Sequence, residues 1–196
     1  MPLLPLEPFV YPQNLFEESH PVAREGDRWW VLHTRPRSEK ALSRRLLVRD
    51  QGFFLPLFKK QWRNSGRSFC AYHPLFAGYV FLFGNGEDRL HALETNLVAR
   101  VIPVEDQAQI QRDLARVHEL MVSGEPLWPE SHLQPGTRVR ITGGPLMGMT
   151  GKIITRHGKT RFLVEVRFLQ QGVSLDIENW MIERLDSVVM AAGQKT

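Results

Sequence analysis

A chain of 196 residues, 42% of them hydrophobic, holds one ordinary domain or two small ones with a real core, which excludes a disordered polypeptide. No apolar run approaches the roughly 20 residues that cross a bilayer, and the N-terminus has no charged start followed by an apolar block and a small-residue cleavage site, so a cytoplasmic protein without a membrane partner is expected. A single cysteine, Cys70, excludes a disulfide framework and a cysteine-based zinc site, while the net charge of +4 permits a polyanion partner without requiring one.

Residues 1–27 carry Pro2, Pro5, Pro8, Pro12 and Pro21 and no sustained periodicity, and read as an unstructured extension with Phe9, Tyr11 and Phe16 as local docking points. Arg28-Trp29-Trp30-Val31-Leu32-His33-Thr34 is a short apolar run stopped by Arg35-Pro36, as suits a central strand. Ser38 stands where an N-cap belongs, and Ala41, Leu42, Leu46 and Leu47 form a helical stripe. Arg44, Arg45 and Arg49 fall off that stripe, either as a solvated face or as a contact for nucleic acid or an acidic protein.

After Asp50-Gln51-Gly52, Phe53 to Phe58 reads as a second strand, which Pro56 confines to an edge or bulge. Lys59 to Arg63 and Ser68 to Tyr72 flank the turn residues Asn64-Ser65-Gly66, which predicts a hairpin bearing Lys59, Lys60, Arg63 and Arg67. Such a ribbon either lies against a phosphate backbone or uses its basic side chains to discourage aggregation. From Tyr79 to Phe83 the next strand is apolar on both sides, with Tyr79, Phe81 and Phe83 on one and Val80 and Leu82 on the other. It ends at the turn signal Gly84-Asn85-Gly86.

A short helix over Glu87 to Thr95, a strand over Val98 to Val104 and a long helix over Glu105 to Met121 follow, the last with Ile110, Leu114, Val117 and Met121 on one face. This alternation predicts an α+β fold over 28–121: an α/β sandwich with a mainly antiparallel sheet, helices on one face and the other face open. Gly124, Pro126, Pro129 and Pro135 mark 122–135 as a linker. Beyond it the alternations Val139/Ile141, Lys152 to Thr155, Phe162/Val164/Val166/Phe168 and Val173/Leu175/Ile177, with Trp180 and Ile182 closing the set, predict a small all-β, SH3-like barrel over 136–186 and a loose tail over 187–196.

The sequence has no Gly-rich phosphate loop, no Gly-x-Ser-x-Gly elbow and no His-Glu-x-x-His helix, and His33, His73 and His91 are scattered without a cysteine set. Neither an enzyme nor a bound cofactor or metal is expected. A sheet face carrying Trp30, Phe54, Tyr79, Phe81 and Phe83, edged by His33 and Arg35, would expose a large apolar patch unless a partner covers it. Aromatic and arginine side chains anchor protein interfaces, and aromatic strand residues equally stack single-stranded bases, so protein and RNA both stay open.

Trp29-Trp30-Val31-Leu32 before a charged helix, Pro74-Leu75-Phe76-Ala77-Gly78-Tyr79-Val80-Phe81 and Arg100-Val101-Ile102-Pro103 resemble the N-terminal domain of NusG-type transcription elongation factors. Gly136-Thr137-Arg138-Val139-Arg140-Ile141 and Gly143 to Ile153 resemble a KOW module. The resemblance implies that the aromatic face receives the clamp helices of RNA polymerase, with Phe76, Tyr79 and Phe81 as anchors and Trp30, Phe54 and His33 completing the pocket. It implies that His91, Glu94 and Thr95 meet the opposite polymerase subunit, and that Arg35, Arg37 and the hairpin residues Lys59, Lys60, Arg63 and Arg67 lie near upstream or non-template DNA. Leu146 and Met149 fall where the family carries a KOW contact for ribosomal protein or termination factor Rho. Ala77-Gly78-Tyr79, where the general factor has Pro-Gly-Tyr, and the run Arg35 to Lys40 resemble specialised paralogues such as RfaH. The implied function is that of a monomeric, operon-specific antitermination factor; the alternative is an RNA-binding or ribosome-associated KOW protein.

Overall fold

A computed structural model describes residues 8–17, 24–64, 66–132, 136–177 and 181–185. The chain divides into two compact units, residues 1–118 and 119–196.

The first unit is built on a five-stranded antiparallel sheet ordered β1-β3-β6-β2-β7, from Val10–Tyr11 (β1), Arg28–Thr34 (β2), Gly52–Phe54 (β3), Tyr79–Gly84 (β6) and Val98–Pro103 (β7). A separate two-stranded ribbon pairs Leu57–Asn64 (β4) with Arg67–Pro74 (β5). The helices are Glu39–Val48 (α1), Gly86–Glu94 (α2) and Gln107–Val122 (α3), the last belonging to this unit as far as His118. The apolar run 53–58 is therefore two strands. Pro56 has no N–H for a ladder, and the chain turns there from the main sheet into the ribbon.

Register assigns each strand residue to a face. Leu32 pairs with Val80, and Leu82 with both Trp30 and Phe53. These side chains form one core with Leu42 and Leu46 of α1 and Ala92 of α2. The opposite face carries Trp29 paired with Phe83, Val31 and Phe54 paired with Phe81, and His33 paired with Tyr79. It is not open. α3 lies over it, with the Trp29 indole donating to Gln111 at 2.5 Å and the His118 ring 5.9 Å from Phe54. The reason is the stripe Ile110, Leu114 and Val117, fully buried, which needs an apolar surface as much as the sheet does.

The proline-rich start also contributes. β1 pairs with β3, the Phe9 carbonyl accepts from Leu55 at 2.6 Å, and the Tyr11 hydroxyl donates to Asp50 at 2.8 Å. Phe16 stacks on Trp29 at 5.9 Å, meets Phe54 edge-on at 4.9 Å and lies 5.0 Å from His118. The glycine-flanked Asn85 is an N-cap as well as a turn residue. Its side chain accepts from the N–H groups of Glu87 and Asp88, and Asp88 returns a bond to the Asn85 N–H, a reciprocal capping box.

The second unit carries Trp128–Glu130 (β8), Thr137–Ile141 (β9), Thr150–Arg156 (β10), Lys159–Val166 (β11), Gln171–Asp176 (β12) and Ile182–Arg184 (β13) in one antiparallel sheet ordered β13-β9-β10-β11-β12-β8. Two expectations are corrected. Among the described residues the sheet is not a closed barrel: its edge strands β8 and β13 do not pair with each other. The stretch expected as a linker supplies β8, because Glu130 accepts from the Ser174 hydroxyl at 2.7 Å and pairs with Arg156 at 3.2 Å, while Arg161 sits 4.2 Å over the Trp128 ring. Phe168 leaves the strand in a 3-10 turn (Arg167–Leu169) and is exposed. Ser65, Trp180 and the tail 187–196 lie outside the described residues.

Candidate functional site

The aromatic residues expected together as one surface separate into three environments. Phe54, Phe76 and Phe81 are at most 1% exposed and form an interior cluster, with Phe81 at 5.9 Å from Phe76 and 6.3 Å from Phe54. They are core, not anchors at a surface. Trp30 stands on the other side of the sheet, its indole bonded to the Gly84 carbonyl at 3.0 Å and flanked by the guanidinium groups of Arg28 and Arg89. Phe83 joins the interior aromatics through Trp29 at 5.2 Å, which leaves Tyr79 and His33, both half-buried, at the end of the α3-covered face away from Trp29.

The backbone fixes that pair closely. Gly78 sits at φ +83°, where an L side chain is strained, and its carbonyl accepts from Thr34 at 2.8 Å while its N–H donates to Glu39 at 2.7 Å. The Tyr79 N–H closes the turn on the Phe76 carbonyl at 3.1 Å. The rings of Tyr79 and His33 then meet at 5.2 Å, and exposed Arg100 lies directly across from His33 on β7. Arg35 and Arg37, both exposed, follow the end of β2 in sequence. The sequence names Arg100 only as part of the segment Arg100-Val101-Ile102-Pro103; the register of β7 opposite His33 is what brings it to this pair.

At the end of α2 the three expected contact residues differ. His91 faces inward, within 3.2 Å of Gln51. Gln51 is buried and also donates to Asp88 at 2.9 Å. Asp88 is pulled upward by burial, but bonds from Gln51, from the Asn85 N–H and from Arg24 outweigh that and hold its carboxyl below the ordinary value. Thr95 spends its hydroxyl on the Ala92 carbonyl at 2.7 Å and the Leu97 N–H at 3.2 Å. Only Glu94 is exposed, within 3.9 Å of Arg49.

On the ribbon, Lys59, Lys60, Arg63 and Arg67 are all exposed, and none forms an ion pair among the described residues. Trp62 and Phe69, which sequence reasoning passed over, are stacked across it at 5.7 Å and 16°. In the second unit Leu146 and Met149 are buried, so the expected contact residues point inward. The exposed apolar side chain of that loop is Met147, at 73%. Among the described residues no group of three or more His, Cys, Asp or Glu is placed to hold a metal, and no helix is long and apolar enough to cross a membrane.

Residues 27–123, just under half of the chain, match the family model described as NusG, transcription termination factor nusG. A chain of the solved structure described as "Crystal Structure of MjSpt4:Spt5 complex conformation B" is 14% identical. The alignment covers 80% of this chain and 96% of that one at a TM-score of 0.26, a slight likeness. No curated protein sequence matches the chain. The likeness to the NusG family model is thus confined to residues 27–123.

Proposed function

We propose, from the NusG-type character of residues 27–123, that the chain is a transcription elongation factor that binds RNA polymerase and suppresses pausing or termination in a particular set of operons. The family match over the first unit carries this reading. Tyr79 and His33, with Arg100 across from His33 on β7, are the surface that takes the clamp helices. The half-buried state of that ring pair supports the choice: a helix from a partner completes its burial, whereas Phe54, Phe76 and Phe81 are already complete and act as the floor that holds it. Glu94 is the residue offered to the opposite polymerase subunit. The arginines Arg35, Arg37 and Arg100 face upstream or non-template DNA.

The second unit then works as the KOW module, with Met147 the side chain presented to a ribosomal protein or to Rho, and the protein acts as a monomer in the cytoplasm. The test is a calorimetric titration of the full chain with a polymerase clamp-helix peptide, beside Tyr79→Arg. Binding that the substitution abolishes, at an unchanged melting temperature, is the expected result. Equal binding by Tyr79→Arg, or none by the unaltered chain, overturns the assignment.

A further inference from the structure

The β4–β5 ribbon alternates rings and cations along one face. Phe58 pairs with His73, Lys60 with Ala71 and Trp62 with Phe69, and since side chains repeat every second residue these three rows and Arg67, two residues before Phe69, share a side. Two ring rows thus stand roughly 14 Å apart, with Lys60 between them and Arg67 beyond the second, each about 7 Å from the Trp62–Phe69 pair at about 3.4 Å per residue. The rings of that pair are nearly parallel and remain 41% and 38% exposed, an unusual cost for two large aromatics on an isolated ribbon. Lys59 and Arg63 occupy the reverse side. No aspartate or glutamate occurs anywhere from Gln51 to Gly86.

We propose that this face is a binding platform for single-stranded RNA, on which an unpaired base stacks against Trp62 and Phe69 while Lys60 and Arg67 hold the phosphates to either side. Charge favours a polyanion: four cations with no acid on the same element repel basic partners and leave the basic residues of a mixed-charge protein surface without a counter-charge. The exposed ring pair selects an unpaired strand, because a base inside a duplex has both faces occupied by its neighbours, whereas a free base has a face to offer and stacks without regard to sequence. RNA is the nucleic acid that presents unpaired bases as a matter of course, while DNA does so only where its strands have been opened. The assignment is independent of polymerase binding and is measured without polymerase.

The experiment is fluorescence anisotropy of a labelled twelve-nucleotide oligouridine titrated with the full chain over a series of salt concentrations. Stacking of one base predicts that Trp62→Ala with Phe69→Ala weakens binding about 5- to 150-fold, while Trp62→Phe, which keeps a ring, loses far less. Lys60→Gln with Arg67→Gln keeps both rings and lowers the slope of log affinity against log salt by about 1.4, roughly 0.7 for each phosphate contact on a single strand. This second variant decides the matter even if the alanine pair disturbs the ribbon. Absent binding, an unchanged salt slope in the lysine–arginine variant, or tighter binding of duplex DNA or of oligothymidine overturns the proposal.

Discussion

Phe81 and Tyr79 lie two residues apart on β6, on the same side of the sheet, and differ in what surrounds them. Phe81 is fully buried against Phe54 and Phe76; Tyr79 is half-buried against His33. Truncating a wholly buried phenylalanine costs about 3–5 kcal/mol, as transfer energy plus the cavity left among side chains that cannot all close in. With about 4 °C lost per kcal/mol in a domain near this size, Phe81→Ala lowers the melting temperature of the first unit by about 12 °C or more. Tyr79→Ala removes roughly half a side chain's burial, about 1 kcal/mol, and shifts melting by about 4 °C. Thermal unfolding of the full chain followed by near-ultraviolet circular dichroism reads both, since Trp29 packs within the same aromatic cluster. Equal losses for the two variants, or a loss under about 1 kcal/mol for Phe81→Ala, would refute the packing of α3 over this face.

His118 provides a pH test. Burial among Phe9, Phe16 and Phe54 holds its imidazole below the ordinary value, with nearby Glu17 pulling the other way. Its neutral form is the one folded, so its contribution is complete above the unfolded value of about 6.5 and is lost as pH falls below it, by at most about 1.4 kcal/mol per pH unit. The difference in stability between the natural chain and His118→Gln should therefore shrink from pH 7 to pH 5, and a constant difference in urea midpoints across that range would contradict it. In the second unit, Glu130→Ala strips Ser174, Arg156 and Arg161 of a shared buried carboxylate and should cost about 3 kcal/mol. Hydrogen exchange then rises first in β8 and β12, and unchanged protection there would show that Glu130 does not pin the edge.

Much of this architecture is legible in the sequence because local rules and packing agree. The two-sided apolar run of β6, the stripe of α3 and the turn signal Gly84-Asn85-Gly86 before α2 each state a period or a terminus directly. What the sequence withholds is which layer covers which face. Tyr79, Phe81 and Phe83 share a side by alternation, yet only the path of α3 decides that Phe81 is interior and Tyr79 is not. Trp30 reads as a neighbour of that set by composition, but it is one residue out of phase with Trp29 and so belongs to the opposite face. The Leu146 to Met149 loop illustrates the same limit. A turn of mixed glycine and methionine carries no periodicity, and the outward residue, Met147, emerges only from the backbone path. For 128–130, prolines argue against a strand, and a buried carboxylate shared with β11 and β12 overrides them.

The docking of residues 8–17 bears on where this domain ends as a thermodynamic object. Family likeness begins at residue 27, yet the cooperative unit extends back to a strand at Val10–Tyr11 and a ring at Phe16 that caps the aromatic cluster. A shortened chain cut at the family boundary would keep every recognisable motif and still expose the free edge of β3 together with the rings of Trp29 and Phe54, a template for intermolecular pairing. Homology marks the portion of a chain that has been inherited in common; solubility and cooperativity here depend on a segment that likeness leaves out.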